Sequence, residues 1–254
     1  MKKGTVVYLS IILTCIFTLS LFTVYACADP FQIPEKFVYD LTWTGIKAGT
    51  ASLELKSDGD KTKIISRARS ADWVSVFYTV EDRAESILVR DPSCSFQLKE
   101  LNYELKTREG SHRKHKEVIF DPYKNKGIYI DHLSKKKNKE KEYDLPDPVF
   151  DPLSSFYYVR SLTLVVGKSV FVTVFDSKKV WNVEVQVLRR EKISVPEGTF
   201  DTIVVKPLMK SEGIFSRKGD ILIWLTDDAK HIPLKMQTKV VVGSVIATLV
   251  RGYY

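Results

Sequence analysis

Alternation of apolar and polar residues runs through most of this sequence and constrains its fold more than any other feature. WNVEVQVL, residues 181–188, is the clearest case, because an apolar residue occupies every second position from Trp181 to Val187. Side chains of a β-strand point alternately to opposite faces, so one face of this segment meets a core and the other meets water. KFVYDLTW, residues 36–43, alternates in the same way and is followed by GIKAGTASLEL, residues 45–55, which predicts a β-hairpin.

Glycines and turn residues indicate where the strands begin and end. Gly45 and Gly49 are predicted to frame the turn of the first hairpin, since glycine favours turn conformations. SVFVTVF, residues 169–175, is apolar on both faces, which favours a central or covered strand. β-branched and aromatic residues dominate the other alternating segments of the second half of the chain, as is typical of strands.

Helical patterns are few. In DPLSSFYYVRSLTL, residues 151–164, Asp151 is suited to cap a helix and Pro152 to occupy its first position. Residues 70–83 are predicted to begin as a short helix before a strand. The sequence therefore predicts a mainly β fold, a single antiparallel, strongly curved sheet or incomplete barrel with one or two packed α-helices.

The N-terminus has the pattern of a secretory signal. Lys2 and Lys3 precede an uncharged apolar run that ends in Ala-Cys-Ala, so residues 1–28 are predicted to be a signal peptide cleaved after Ala28. Two alternatives remain open: the run is long enough to be an uncleaved membrane anchor, and Cys27 could carry a lipid. The expectation is an exported protein, periplasmic if the signal is removed, and otherwise anchored to the inner or outer membrane.

The chain beyond the signal, residues 29–254, has a length that suits one β-rich envelope domain. It contains a single cysteine, Cys94, so no disulfide forms within it. Two roles for this thiol remain open: burial in the core, and pairing between chains.

Positive charge is concentrated in one region. The formal net charge is +8, and removal of Lys2 and Lys3 with the predicted signal leaves +6. Residues 106–142, the basic hairpin region, hold twelve Lys and Arg and six Asp and Glu, so they account for +6 by themselves. Clustered lysines attract anionic lipid, although such runs are often only solvated. The candidate contacts to an anionic membrane surface are Lys135, Lys136, Lys137, Lys139 and Lys141.

WLTDDAKHIPLKM, residues 224–236, gathers two carboxylates, two lysines and a histidine, and could be read as a catalytic or metal site. We interpret it as a turn between two strands. Asp228 is expected to accept hydrogen bonds from the backbone ahead of it, and Pro233 suits the first residue of a strand. Asp227 and His231 are predicted to be structural as well.

Other chemistries lack their usual motifs. His112 and His115 are three residues apart, so in a strand they point to opposite faces, and the flanking lysines and arginine would repel a cation. The sequence contains no G-x-S-x-G motif and no Gly-rich phosphate loop. No catalytic residue, metal ligand, cofactor or nucleic-acid partner is therefore predicted.

The order of turns in the second half resembles a known family. VPEGTFDTIVVKP, residues 195–207, followed by a tryptophan strand, an acidic turn and Ile-Pro, is similar to exported bacterial proteins catalogued as domain of unknown function 3108. The shared turn positions include Pro196 and Gly198, and the similarity extends over roughly residues 37–250. The resemblance implies a β-rich, open-barrel envelope protein and supplies no catalytic residues.

The leading hypothesis is a non-enzymatic envelope protein that binds a lipid or another hydrophobic component, since large curved antiparallel sheets can enclose apolar ligands. The alternatives are a structural or protein-interaction module of the envelope and, third, a hydrolase of envelope polymers. A long apolar cavity would favour the first hypothesis, and a cleft with two close carboxylates would favour the third. The sequence identifies neither the ligand nor a protein partner.

Overall fold

The computed structural model of the protein describes residue 31 and residues 33–91, 94–135, 140–208, 221–240 and 242–254, without the side chains of residues 90–97. The predicted signal segment with Cys27 lies outside the described residues, and so do the Cys94 side chain and Lys136, Lys137 and Lys139. Within the described part of the chain, no helix is both long and apolar enough to cross a membrane.

Fourteen strands and two helices make up the described structure. The strands are β1 (Glu35–Trp43), β2 (Ile46–Asp58), β3 (Lys61–Ser70), β4 (Val80–Asp91), β5 (Cys94–Glu109), β6 (His112–Asp121), β7 (Lys126–Asp131), β8 (Glu140–Asp144), β9 (Ser169–Asp176), β10 (Lys179–Val195), β11 (Gly198–Leu208), β12 (Ile221–Thr226), β13 (Pro233–Lys239) and β14 (Ser244–Tyr253). The helices are α1 (Asp72–Ser75) and α2 (Pro152–Ser161).

All fourteen strands belong to one antiparallel sheet. Its order is β8-β7-β6-β5-β4-β3-β2-β1-β14-β13-β12-β11-β10-β9, so the sheet is not closed and β8 and β9 are its edges. A single parallel bridge from Phe150 to Val174 lies beside the β9 edge, next to α2. The rings of Phe175 in β9 and Phe120 in β6 lie 6.4 Å apart, which shows how far the sheet curls back on itself. The predicted fold class, a curved sheet or incomplete barrel with one or two packed helices, is confirmed.

Because neighbouring strands are antiparallel, their connections alternate between two ends of the sheet. We call the end that holds the β2–β3, β4–β5, β6–β7, β10–β11 and β12–β13 turns the cavity end. The opposite end, which holds the β1–β2, β3–β4, β5–β6, β7–β8 and β13–β14 connections, is the far end. Helix α2 follows β8 and therefore lies at the cavity end.

Three buried apolar clusters cover the inner face of the sheet. The first joins β9 to β12 and is centred on Ile203 and Leu225, and the second joins β1 to β4 with β13 and β14 around Phe37 and Leu234. The third joins β4 to β7 and includes Phe175 from β9. Helix α2 contributes Val159 to the first cluster and Tyr157 to the second. The helix thus closes the core at the cavity end.

The sequence explains where α2 begins. Asp151 has an extended backbone conformation and accepts hydrogen bonds from the amides of Leu153 and Ser154, while the Ser154 hydroxyl receives the Asp151 amide in return. Pro152 occupies the first helical position, where its missing N–H has no cost. The predicted start is confirmed, and the helix ends at Ser161, three residues earlier than expected.

Two predictions about the strands need correction. Gly49 does not frame a turn: the turn is at Thr44–Gly45, and Gly49 lies inside β2 beside a bulge, between its partners Leu41 and Ser70. The segment SVFVTVF is β9, an edge strand of the sheet rather than a central one. Its Val172 and Val174 are covered by the Phe150 segment and α2, whereas Phe171 on the other face is exposed.

Candidate functional site

A cavity of about 400 Å³ lies at the cavity end, between the inner face of the sheet and α2. Its wall is mostly apolar and comes from β2 to β6, from the segment after β8 and from α2. The apolar lining includes Leu55, Ile64, Leu88, Leu98, Phe120, Leu145 and Tyr158. Ligand cavities in proteins typically measure roughly 300–1,000 Å³ and are lined in this way, with a few polar groups. The cavity therefore has the size and character of a binding site for a small hydrophobic molecule.

Glu100 brings a carboxyl group to this apolar cavity. It lines the cavity, is only 3% exposed, and its carboxyl group faces that of Asp151. A shift in strand pairing explains its inward position: Leu88 pairs with Glu100 and Ile87 with Asn102, so Leu101 is an extra residue in β5. Such a bulge reverses which residues point inward on either side of it.

Asp151 is the second buried carboxyl group at this place. Its Oδ1 accepts three hydrogen bonds, from the amides of Leu153 (2.7 Å) and Ser154 (3.0 Å) and from the hydroxyl of Ser86 (2.8 Å). Its Oδ2 has no hydrogen-bond partner in the described part of the chain. One oxygen thus caps α2, and the other is left for the neighbouring carboxyl group.

The two carboxyl groups influence each other's protonation. Burial raises the pKa of Glu100 well above its usual range, and the negative charge of Asp151 raises it further. Burial also raises the pKa of Asp151, but hydrogen bonds from Ser154 and Ser86 oppose this effect. Two close carboxylates in apolar surroundings cannot both ionise readily. Of the two groups, Glu100 is therefore the one that keeps its proton more readily, and Asp151, at the N-terminus of α2, is the more acidic.

The mouth of the cavity is charged. Lys99 pairs with Asp147 at 3.7 Å, and Lys126 pairs with Asp144 at 2.7 Å. Lys99, Lys126 and Asp147 all line the opening. A bound molecule would therefore pass ion pairs before it reached the apolar wall.

Arg160 fixes α2 in its place over the cavity. It is completely buried, and its Nη1 and Nη2 each donate to a different oxygen of Glu35 at 2.8 Å. Its Nε donates to the carbonyl of His231 at 3.0 Å, and its guanidinium lies 4.8 Å from the ring centroids of both Phe31 and Tyr157. Although burial opposes the charge, the hydrogen bond and charge of Glu35 hold the pKa of Arg160 above its ordinary value. Helix α2, strand β1 and the turn after β12 are thereby tied together.

The acidic turn of residues 227–232 is the partner of Arg160. Asp228 Oδ1 accepts hydrogen bonds from the hydroxyl of Thr226 (2.7 Å) and from the amides of Lys230 (2.9 Å) and His231 (3.1 Å). His231 has a φ of 44°, and its Nδ1 lies 2.7 Å from the carbonyl of Arg160. These contacts place Asp228 and His231 within the turn and against α2.

The remaining residues of this stretch have separate partners. Asp227 forms a 2.5 Å ion pair with Arg190 on β10. Pro233 is the first residue of β13, and its carbonyl accepts a hydrogen bond from the buried Tyr39 hydroxyl. Pro196 lies in the two-residue turn between β10 and β11, which Gly198 follows with a φ of +137°. None of these residues lines the cavity.

The far end carries the β5–β6 and β7–β8 connections of the basic hairpin region and a stacked pair of histidines. The rings of His115 and His132 stack at 4.1 Å, and each ring bonds a carboxylate, Glu104 and Glu117 respectively. The described residues contain no group of three or more His, Cys, Asp or Glu arranged to hold a metal ion. Of the lysines predicted to contact a membrane, Lys135 and Lys141 are described and exposed. The Lys141 ammonium lies 5.0 Å from the ring of Tyr143.

Sequence reasoning missed the carboxyl pair of Glu100 and Asp151. Asp151 was predicted only to cap a helix, and no role was predicted for Glu100. One signal was present. In LKELNYEL, residues 98–105, the apolar residues change parity between Leu98 and Tyr103, which indicates a bulge and turns Glu100 inward with Leu98.

Comparison with known proteins gives a family. The profile of the family described as Protein of unknown function (DUF3108) matches residues 38–250. Among solved structures, this chain is similar to a crystal structure of a beta-barrel-like protein of domain of unknown function DUF1849 from Brucella abortus. The two share 14% identity and a TM-score of 0.49, over 87% of this chain and 97% of that one. No curated protein sequence matches significantly. Since the profile spans most of the sequence, the chain belongs to the DUF3108 family of proteins of unknown function.

Proposed function

We propose that this protein is a non-enzymatic cell-envelope protein that binds a lipid or another hydrophobic envelope component in the cavity beneath α2. The observation that carries the proposal is the cavity itself, about 400 Å³ of mostly apolar space between a curved sheet and a helix. Burial of apolar surface contributes roughly 25 cal/mol per Å², so a ligand that fills such a space gains several kcal/mol. The expected export through residues 1–28 would place this binding in the periplasm or at a membrane.

The buried carboxyl pair gives the hydrolase hypothesis its best support, but we favour binding. Asp151 is fully buried and commits one oxygen to capping α2, and Glu100 is 3% exposed. A general acid and base for hydrolysis must reach both a substrate and a water molecule. Glu100 lines the apolar cavity and Asp151 lies behind it, outside the lining, an arrangement better suited to orienting a ligand.

Filling the cavity tests the proposal. Ser161 lines the cavity at the end of α2, whereas Thr163, two residues later, is exposed and does not line it. In Ser161→Trp the indole should displace about 60 Å² of ligand contact, worth ~1.5 kcal/mol, so affinity should fall about tenfold. The matched control Thr163→Trp should bind like the wild type.

The measurement is fluorescence titration with N-phenyl-1-naphthylamine, an uncharged apolar probe, on protein freed of co-purifying lipid by unfolding and refolding. Native mass spectrometry of protein purified from its own envelope gives an independent readout, and a co-purifying lipid is expected. If the wild type takes up no probe, or if Ser161→Trp and Thr163→Trp bind it equally, the cavity is not a binding site for hydrophobic ligands.

A specific surface favours a second function, contact with an anionic membrane. The far end exposes a set of large apolar side chains that we call the apolar rim: Trp43, Ile46, Trp73, Val76, Phe77, Tyr78, Val240 and Val242. Phe77 is 83% exposed and Val76 is 76% exposed. Exposed apolar residues are usually scattered singly over a protein surface, whereas those of the apolar rim are grouped at one end of the sheet.

Hydrogen bonds between the strand connections of the far end hold the apolar rim together. The Trp43 indole donates to the carbonyl of Val242 at 2.8 Å, and the Trp73 indole donates to the carbonyl of Lys47 at 2.9 Å. The β3–β4 connection also reaches the β5–β6 turn, where the Gly110 amide donates to the Thr79 carbonyl at 2.8 Å. That hairpin carries the exposed cations Arg113 and Lys114, and the next connection carries Lys135. Aromatic residues beside cations are typical of surfaces that insert into membrane interfaces.

Vesicle co-sedimentation tests this second proposal. Phe77→Ser should reduce sedimentation with anionic vesicles severalfold, because one exposed aromatic ring contributes about 1–2 kcal/mol of apolar burial. Phe171→Ser is the matched control, since Phe171 is 57% exposed on β9, away from the apolar rim. Replacing Lys135, Lys136, Lys137, Lys139 and Lys141 by Gln should further weaken binding to anionic vesicles at low salt. Equal sedimentation of wild type and Phe77→Ser, or equal loss in Phe171→Ser, would contradict a membrane role for the apolar rim.

A further inference from the structure

Polar atoms without partners line one side of the cavity. Glu100 and Tyr157 are both buried and both line the cavity. One oxygen of Glu100 has the facing Asp151 carboxyl group as its partner. Among the described residues, the other Glu100 oxygen and the Tyr157 hydroxyl have no hydrogen-bond partner. Leaving such a group unsatisfied in the interior costs about 1–3 kcal/mol, so buried polar groups are nearly always paired. Both groups therefore point to a ligand with polar atoms of its own.

Electrostatics restricts what that polar part can be. Asp151 is the more acidic of the two carboxyl groups, because the helix amides and the Ser86 hydroxyl donate to it and stabilise a negative charge there. Glu100 beside it is neutral, because burial and the Asp151 charge both raise its pKa. The cations at the mouth, Lys99 and Lys126, are engaged with Asp147 and Asp144. An anionic head group placed next to Asp151 would meet a like charge in a medium of low polarity.

We propose that the cavity binds an amphiphile with an uncharged, hydrogen-bonding head group, such as a hydroxyl, ester or amide, seated against Glu100 and Tyr157. The apolar part of the molecule lies along Ile64, Leu88 and Phe120 toward the mouth. The proton of Glu100 is shared with Asp151, so Glu100 accepts a hydrogen bond from the head group through its other oxygen, and the Tyr157 hydroxyl can donate one in return. A cationic head group would lose its hydration on entering the cavity. It would gain little in return, because the α2 amides already stabilise a negative charge on Asp151. This inference rests on the proposed function of the cavity and adds the class of its ligand.

A series of ligands with one chain length and three head groups tests the inference. Dodecan-1-ol, dodecanoate and dodecylamine would each compete with bound N-phenyl-1-naphthylamine at pH 7.5. For the wild type, dodecan-1-ol should have an apparent Kd about tenfold lower than the other two, the equivalent of about 1.4 kcal/mol.

Three variants test whether the named side chains cause this preference. Glu100→Leu removes the hydrogen-bonding group at similar volume, and it should lower the affinity for dodecan-1-ol about tenfold while the affinity for the apolar probe is kept. Glu100→Gln, which keeps a donor and an acceptor, should retain the preference. Tyr157→Phe removes only one hydroxyl and should lower the affinity for dodecan-1-ol about threefold, so the inference stays testable if Glu100→Leu does not fold.

The outcomes separate this inference from the proposed function. If the probe binds but dodecanoate or dodecylamine competes as well as dodecan-1-ol, the cavity is a hydrophobic site and the head-group inference alone is wrong. The head-group inference is also wrong if Glu100→Leu, or Tyr157→Phe in its place, leaves the affinity for dodecan-1-ol unchanged. If the wild type binds no probe at all, both the inference and the proposed function are wrong.

Discussion

Replacing Arg160 by methionine is expected to lower the free energy of unfolding by about 3–5 kcal/mol, the usual cost of removing one partner of a buried ion pair. Methionine fills much of the same volume but leaves the Glu35 carboxylate buried without its two hydrogen bonds. It also leaves the carbonyl of His231 without its donor. Because α2 would lose its attachment to β1 and to the acidic turn, the loss should appear as a lower urea midpoint with little change in slope.

Two controls make this expectation specific. Arg189→Met removes an exposed pair with Glu191 and should change stability by less than about 0.5 kcal/mol. The double variant Glu35→Leu with Arg160→Met replaces the whole pair by apolar groups and should recover part of the loss, as seen for buried pairs elsewhere. A loss of less than about 1 kcal/mol in Arg160→Met would show that the pair does not hold α2 in place.

Local chemistry made much of the fold predictable from the sequence. Alternating segments identified strands because a sheet with one face on a core requires a period of two. The start of α2 followed from Asp151 and Pro152, which satisfy a helix N-terminus without help from distant residues. These features depend on neighbours within a few residues, so one segment of sequence contains them.

Long-range packing was not predictable in the same way. The sequence of β9 is apolar on both faces, as that of a central strand would be, yet β9 is an edge strand. Phe150 and α2 cover one of its faces, and Phe171 on the other is exposed. The site depends even more on distant contacts. Glu100 meets Asp151 only because β5 bulges and α2 folds back over the sheet, and Ser86 on β4 completes the group. No pattern within a single segment of sequence connects these three residues.

Gly49 was predicted to be required for a turn, but the structure gives a different reason for a glycine at this position. A Cβ atom built on Gly49 would lie 2.3 Å from the carbonyl oxygen of Arg69, a backbone atom of the neighbouring strand. The glycine is required for close approach of two strands next to the bulge of β2, not for a turn. Gly45 is the turn residue: its φ is +86°, and an added Cβ would meet no atom within 4 Å.

The two glycines should therefore respond differently to substitution. Gly49→Ala is expected to lower the free energy of unfolding by about 3 kcal/mol, because the β2–β3 backbones must move apart to admit the methyl group. Gly45→Ala should cost about 1–2 kcal/mol, since alanine has to adopt a left-handed conformation without any steric contact. Asparagine separates the two causes: it tolerates the left-handed region, so Gly45→Asn should be close to the wild type, whereas Gly49→Asn should lose at least as much as Gly49→Ala. Urea unfolding of the four variants measures these differences. If asparagine restored stability at position 49 and not at position 45, Gly49 would be required for its backbone conformation, and the strand-contact explanation would fail.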